Sequence, residues 1–257
     1  NHSIYFNNSI GDLFCQTTYV LMDFQCLFDI LPYQQAQYPT AVALARKDGL
    51  HWKTFSTAEC LEQVQKVSAG ALQLGLKRGD KVAIIADQGS PEWHFIDFGM
   101  LQVGVVVLTI YANLSDKALL HVLHQSGIKY CFVQDRAIYL RVQHIQSNIV
   151  GLKQIYTLTK TADLPHWEEV LIAPTAYQLQ QIHALRAVIH EEDLATIIYT
   201  PGTTGLPKGV MLSHKNLVTS IRLMLAHTSI NCDKAAISVL PISHIFQRLL
   251  SLVYIVA

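Results

Sequence analysis

The chain has no excess of charge of either sign: Lys plus Arg equals Asp plus Glu, and the formal net charge is zero. That balance removes the basic footprint that nucleic-acid binding requires. Its five cysteines (Cys15, Cys26, Cys60, Cys131 and Cys232) are scattered, odd in number and include no C-x-x-C pair. They exclude a disulfide framework and a zinc site, and read as free thiols in a reducing compartment. Missing too are a run of about eighteen apolar residues and an opening basic segment followed by an apolar one. The chain therefore reads as cytoplasmic, with peripheral contact at the inner membrane left open. Charged residues are sparse, at 15 % of the total, and there is no internal repeat or low-complexity tract. Disordered and tail-like proteins are set aside on that ground. What remains is a 257-residue chain that is 51 % hydrophobic, enough for one large domain or two small ones with a substantial core.

Apolar segments and helical patterns alternate along it. Ala41–Ala45 and His51–Phe55 read as a hairpin about Asp48-Gly49. Ser56 and Glu59 form a capping box that opens a helix running to about Gly75. Strands are expected at Lys81–Ala86, Val105–Ile110, Lys129–Val133 and Gln154–Leu158, with helices at Pro91–Val103, Ser115–Gln125 and Ala137–Ser147 between them. The strands are apolar throughout rather than alternating, the pattern of a parallel sheet covered on both faces. This predicts an α/β fold of doubly wound, mostly parallel sheets with helices on both faces. Residues 1–21 show no period and read as a non-native or unstructured N-terminal extension, with Met22 as the native start. Residues 22–158 read as a first α/β subdomain, 159–193 as a polar connector, and 194–257 as the start of a further subdomain.

That last segment opens with the most informative stretch in the chain. Ala195–Thr200 and Lys208–Ser213 read as buried strands joined by Pro201-Gly-Thr-Thr-Gly-Leu-Pro207. Gly202 and Gly205 allow close backbone approach and positive φ, so successive N–H groups can form a concave anion site. Thr200, Thr203 and Thr204 add hydroxyl donors, and Lys208 adds a cation on a long stem. A Walker-type loop would need G-x-x-x-x-G-K-[ST] followed by a helix. Here Lys208 follows Pro207 and a strand comes next, so that reading fails.

Thr200-Pro-Gly-Thr-Thr-Gly-Leu-Pro-Lys-Gly-Val210 resembles the phosphate-loop signature of the adenylate-forming superfamily, roughly [ST]-S-G-[ST]-T-G-x-P-K-G-V. Pro201 stands where that family carries serine. Lys77-Arg-Gly-Asp-Lys-Val-Ala-Ile-Ile85, Ser90-Pro-Glu-Trp93 and Val105–Tyr111 are similar to its earlier blocks, with Thr109 and Ala112 at two usual proline positions. Ser213-His-Lys-Asn216 matches the S-H-x-N that follows the loop. Leu240-Pro-Ile-Ser-His-Ile-Phe-Gln-Arg248 resembles the L-P-L-[SA]-H-x-F-E-R segment of long-chain fatty acyl-CoA synthetases, with Gln247 in place of glutamate. The bacterial long-chain branch is the nearest in character.

The resemblance implies an AMP-forming ligase acting on a long-chain fatty acid, ATP and coenzyme A, with Mg²⁺ carried on the ATP phosphates and Thr204 beside it. It places Thr200, Gly202, Thr203, Thr204, Gly205 and Lys208 on the phosphates. Ser243, His244 and Phe246 border the acyl and nucleotide pocket. No catalytic residue is assigned, because the family's later motifs and its C-terminal lysine do not occur before Ala257, and the chain reads as an amino-terminal fragment. Two other readings stay open: a nucleotide-binding or interaction remnant, and a ligase for an aryl, medium-chain or amino acid. Oligomeric state is not legible. His214 reads as a cap for a helix opening near Lys215, Trp93 and Tyr111 as core residues, and His121 and His124 as solvated surface.

Pro201 lacks the hydroxyl and the N–H that a serine would offer to phosphate. Pro201→Ser in the full-length protein is therefore expected to strengthen apparent ATP affinity or pyrophosphate exchange. Unchanged or poorer kinetics would show that the loop is adapted to proline.

Overall fold

A computed structural model of the chain describes residues 24–200, 206–228, 230 and 235–257. The 1–21 extension, Met22, Cys15, Cys232 and the loop residues Pro201, Gly202, Thr203, Thr204 and Gly205 lie outside the described residues.

Ten segments set the frame on the first side of the chain: α1 (Ile30–Gln37), β1 (Leu44–Asp48), β2 (His51–Phe55), α2 (Thr57–Gln73), β3 (Lys81–Ile85), α3 (Pro91–Leu101), β4 (Val106–Ile110), α4 (Asp116–Ser126), β5 (Tyr130–Val133) and α5 (Arg136–Ile145). Then follow β6 (Gln154–Thr157), α6 (Ala176–Ala187), β7 (Leu194–Thr200), β8 (Lys208–Ser213), α7 (His214–Ala226) and α8 (Ile245–Val256). Strands β1 and β2 pair as a separate antiparallel hairpin, turning at Gly49 with φ of 59°. The other six form one sheet in the order β6-β5-β3-β4-β7-β8, parallel except at β8.

The apolar strands are explained by burial on both faces. Along β3, Val82 and Ile84 enter one core, while Ala83 and Ile85 enter the other. Successive side chains point to opposite faces, so a strand covered twice has no polar position to spare. Helices α1, α2, α3, α6, α7 and α8 contribute to the first core, and α4 and α5 to the second. This is the doubly wound α/β arrangement expected from the sequence.

Helix starts follow the local chemistry. Ser56 and Glu59 make the reciprocal capping box, and Ser90 accepts from Trp93 N just before Pro91 at the first helical position. Ser115, Asp135 and Thr175 cap α4, α5 and α6 in the same way. Cys26, Cys60 and Cys131 are buried free thiols, and burial pushes Cys26 and Cys60 up to about 12.

Two expectations change. Lys208–Ser213 is not a buried strand: among the described residues β8 ends the sheet, pairs only with β7, runs antiparallel to it, and leaves Val210 and Met211 exposed. His214 is not the cap of α7 either. Ser213 caps it, accepting from Asn216 N, and His214 lies buried in the first turn. The His214 Nδ1 accepts a hydrogen bond from Leu27 N at 3.2 Å, with the Phe28 ring edge-on to the imidazole. His214 therefore ties the first described segment to α7.

Helix α2 meets α3 and the 167–170 turn closely enough to require glycine. A Cβ on Gly99 would stand 2.6 Å from the Val67 Cβ, and one on Gly70 would stand 1.8 Å from the Val170 carbonyl oxygen. That oxygen is backbone and cannot swing aside. Gly70→Ala is expected to lower folding stability by about 1–3 kcal/mol or more, read as an earlier urea midpoint. An unchanged midpoint would mean that residues 167–170 are not held against α2.

Two buried histidines set a pH dependence. Burial, then the Arg248 charge, holds His94 down to about 3. Burial holds His214 down to about 4, with Asp193 opposing and Arg248 assisting. The unfolded chain protonates both near pH 6.5, whereas the folded chain does not, so stability is full above that pH and falls as pH drops toward 4. Each group contributes a slope of up to about 1.4 kcal/mol per pH unit. His214→Asn is expected to flatten the loss measured by urea unfolding between pH 7 and 5; an identical slope would overturn this assignment.

Candidate functional site at the carboxyl edge of the sheet

Strands β3, β4 and β7 are parallel neighbours, so all three end on the same edge. The chain leaves β3 for α3 on one face of the sheet and leaves β4 for α4 on the other. Two adjacent strands whose connections part in this way open a crevice at their carboxyl ends, the usual ligand position in an open α/β sheet. Here the crevice lies between β3 and β4.

Asp87, just beyond β3, organises it. Its carboxylate Oδ1 accepts from Ala112 N at 3.1 Å, fastening the end of β4. Its N–H and that of Gln88 both donate to Gln134 Oε1, fastening the end of β5. Its carbonyl accepts from Ile242 N at 2.9 Å and so brings in the segment before α8. That last bond delivers Ser243 and His244 to the crevice. Ser243 is buried, and its hydroxyl has no partner among the described residues. His244 caps α8, its Nδ1 accepting from Phe246 N, and its ring meets Tyr111 edge-on at 6.4 Å. Burial, with Asp87 adding to it, raises the Tyr111 phenol, which keeps its proton near neutral pH. Phe246 is half exposed, at 50 %.

Beside the crevice, β7 delivers Thr200 to the same edge, and Lys208 pairs with Thr200 across the β7/β8 ladder. Both are exposed. Gly209 is required next to them, since a Cβ there would stand 2.8 Å from Ile197 and 3.2 Å from the Tyr199 ring. An open groove of about 450 Å³ runs alongside, lined by His121, Tyr199, Leu206, Pro207, Lys208 and Met211.

The structure thus places Thr200 and Lys208 at one end of the edge and Ser243 and His244 at the next crevice along. Gly202, Thr203, Thr204 and Gly205 belong to the loop between β7 and β8 that lies outside the described residues. Two sequence assignments are revised. Tyr111 is only partly buried and faces His244, whereas Trp93 is a core residue as expected. His121 is half-buried in the groove wall, while His124 alone is exposed. Asp87 was not singled out by the sequence. Its signal was a carboxylate placed directly after a buried parallel strand.

Behind the crevice sits a buried ion pair. Asp97 and Arg248 are both fully inaccessible, with Arg248 Nη2 at 2.7 and 2.8 Å from the two Asp97 oxygens. Burial raises the Asp97 carboxyl pKa, and the guanidinium works against that rise. Arg248 Nη1 also donates to Thr196 Oγ1 at 2.7 Å, and the guanidinium lies over the Trp93 ring at 5.4 Å. Gln247 adds bonds to Ser238 and Ser251. An aspartate in the otherwise apolar stretch Phe95-Ile-Asp-Phe-Gly-Met-Leu101 was a sequence signal for such a partner.

Comparison with known proteins identifies the family. Residues 31–257 match the family model described as AMP-binding enzyme. The chain is 31 % identical over 209 residues to the long-chain-fatty-acid–CoA ligase heimdall of Drosophila melanogaster, covering 77 % of this chain and 30 % of that protein. It is 28 % identical over 207 residues to the long-chain-fatty-acid–CoA ligase FadD15 of Mycobacterium bovis, covering 80 % and 34 %. The chain spans about a third of the length of these curated relatives. Among solved structures, a long-chain-fatty-acid–CoA ligase from Archaeoglobus fulgidus superposes with a TM-score of 0.68 at 17 % identity, covering 90 % of this chain and 45 % of that one. At that identity the superposition speaks for the fold alone. Sheet, crevice and motif-bearing segments together make the chain a member of the AMP-binding enzyme family.

Proposed function

We propose that the chain forms the phosphate-side and acid-side parts of a ligase that activates a long-chain fatty acid with ATP and passes it to coenzyme A. The observation that carries this reading is the shared sheet edge, which holds Thr200 and Lys208 beside the crevice of Ser243, His244 and Tyr111. The relatives that match it are long-chain-fatty-acid–CoA ligases.

In this reading a carboxylate oxygen attacks the α-phosphorus of ATP, the bond to pyrophosphate breaks, and acyl-adenylate forms. The thiol of coenzyme A then attacks the acyl carbon and AMP leaves. Thr200, Gly202, Thr203, Thr204, Gly205 and Lys208 bind the β- and γ-phosphates, where charge gathers as pyrophosphate departs. Mg²⁺ would be carried on the ATP phosphates, with Thr204 the loop residue that would help to hold it. When bound, it neutralises phosphate charge. Ser243 offers its buried hydroxyl, His244 and Tyr111 border the acid, and Phe246 lies at the entry to the acyl channel. An apolar channel favours long chains by about 0.8 kcal/mol per buried methylene.

Residues 22–158 supply the frame in this scheme, 159–193 join it to the phosphate-loop part, and 194–257 begin that part, with 1–21 outside the working domain. No helix among the described residues is long and apolar enough to cross a membrane. We place the enzyme in the cytoplasm, meeting lipid peripherally to collect its substrate. Pro201 favours a second reading, a nucleotide-binding or interaction remnant.

The test is fatty-acid-dependent exchange of labelled pyrophosphate into ATP by the full-length protein. Exchange with a long-chain acid, and little with aryl, medium-chain or amino acids, is expected. Lys208→Met should reduce it about ten- to a hundredfold, the worth of a charge-assisted hydrogen bond. ATP binding without exchange would favour the remnant.

A further inference from the structure

Helix α8 could have been seated on the sheet by apolar contacts alone, and its second half is: Leu252, Val253, Ile255 and Val256 are all buried in the first core. Its first turn is different. Arg248 lies one turn from His244, and its N–H donates to the His244 carbonyl at 3.1 Å. Its side chain runs away from solvent into a fully buried site and there touches two other elements. Its Nη2 reaches both Asp97 oxygens in α3, its Nη1 donates to Thr196 in β7, and the guanidinium lies over the Trp93 ring of α3. Thr196 in turn donates to the Val107 carbonyl of β4 at 2.5 Å.

A buried ion pair is a poor way to add stability. Removing two charges from water costs several kcal/mol, and apolar residues of similar volume often serve as well or better. What the guanidinium adds is geometry. A rigid planar group with one nitrogen on a carboxylate and another on a strand hydroxyl fixes both the rotation and the height of the helix that carries it, whereas apolar side chains tolerate sliding. The connections of Arg248 show which geometry is held. Thr196 sits four residues before Thr200 on the strand that enters the phosphate loop, and His244 is four residues before Arg248 on the helix that borders the crevice. The Arg248 side chain bonds to Thr196, and its backbone, in the first turn of α8, bonds to the His244 carbonyl.

We infer that Arg248, held by Asp97, is a positioning residue that sets the register between the phosphate-loop strand and the Ser243-His244 turn. This rests on the function proposed above. Adenylate formation requires the carboxylate to meet the α-phosphorus in line, and the two reactants are held by these two segments. A misplacement of about 1 Å between them costs about a hundredfold in rate. Binding of each substrate alone depends on one segment at a time. Loss of Arg248 geometry therefore lowers kcat and leaves each KM nearly unchanged.

The experiment uses the full-length protein and acid-dependent pyrophosphate exchange, with rates normalised to folded protein by thermal melt and circular dichroism. Wild-type exchange is measured first; its absence defeats the functional reading itself, independently of Arg248. Given wild-type exchange, the paired variant Asp97→Leu with Arg248→Met is expected to fold with an equal or higher Tm. Its kcat should fall at least about tenfold, with KM for ATP and acid within about twofold. Thr196→Val, which keeps the ion pair and the side-chain shape, covers the case in which the paired variant does not fold. It should lower kcat about three- to tenfold at unchanged KM. Arg248→Lys, which keeps the charge but not the two nitrogens that reach Asp97 and Thr196 together, should resemble the paired variant in kcat. Wild-type kcat in Thr196→Val or in a folded paired variant would overturn the inference. So would a rise in KM at constant kcat, or full rescue by Arg248→Lys.

Discussion

A parallel sheet covered on both faces leaves only one place to bind a polar substrate, and the functional geometry of this chain follows from that restriction. The side chains of β3, β4 and β7 are spent on the two cores, and their backbone groups are spent on each other. Only at the carboxyl ends do peptide groups and polar side chains come free together. Asp87, Tyr111 and Thr200 each lie at such an end, and Ser243 and His244 are brought in from a distant segment by the Asp87 carbonyl. The crevice falls between β3 and β4 because their connections leave on opposite faces.

The same restriction explains the one large polar investment in the interior. Helix α8 approaches the sheet from the face already occupied by α3, over strands with no polar side chain at most positions. Thr196 of β7 is an exception, and α3 supplies the buried Asp97. Arg248 joins them, so a helix whose remaining contacts are apolar acquires a defined height and rotation. His94 stays neutral beside this charge because burial and the guanidinium both oppose its protonation. The opposite edge of the design is less constrained. At β8, the sheet ends in an antiparallel strand with Val210 and Met211 exposed, and the groove beside Lys208 is open.

Elements set by short-range chemistry were legible from the sequence with small errors at their ends. Ser56 with Glu59, and Ser90 with Pro91, start helices where local hydrogen bonds dictate, and Gly49 turns the hairpin where positive φ is needed. The twofold burial of the sheet was legible because it writes an unbroken apolar pattern into each strand. The burial of Lys208–Ser213 was misread, since an apolar edge strand and an apolar central strand look alike until the sheet order is known. His214 was misread as a cap because Ser213 beside it offers the same local chemistry, and the Leu27 N–H that the imidazole serves comes from far away in sequence.

The sequence by itself determined the fold class and the helix starts, and it singled out the two segments to which the proposed chemistry is given: Thr200–Lys208 and Ser243–Phe246. These depend on residue type at fixed short spacings, which the chain records directly. Only the tertiary structure decided that Asp87 and Tyr111 belong with His244, that β3 and β4 frame the crevice, and that Arg248 spans from Asp97 to Thr196. Those are contacts between residues up to about 150 positions apart, Arg248 and Asp97 being separated by 151. No local pattern encodes such a pairing, because the strand order that brings its members together is settled only when both faces of the sheet are covered.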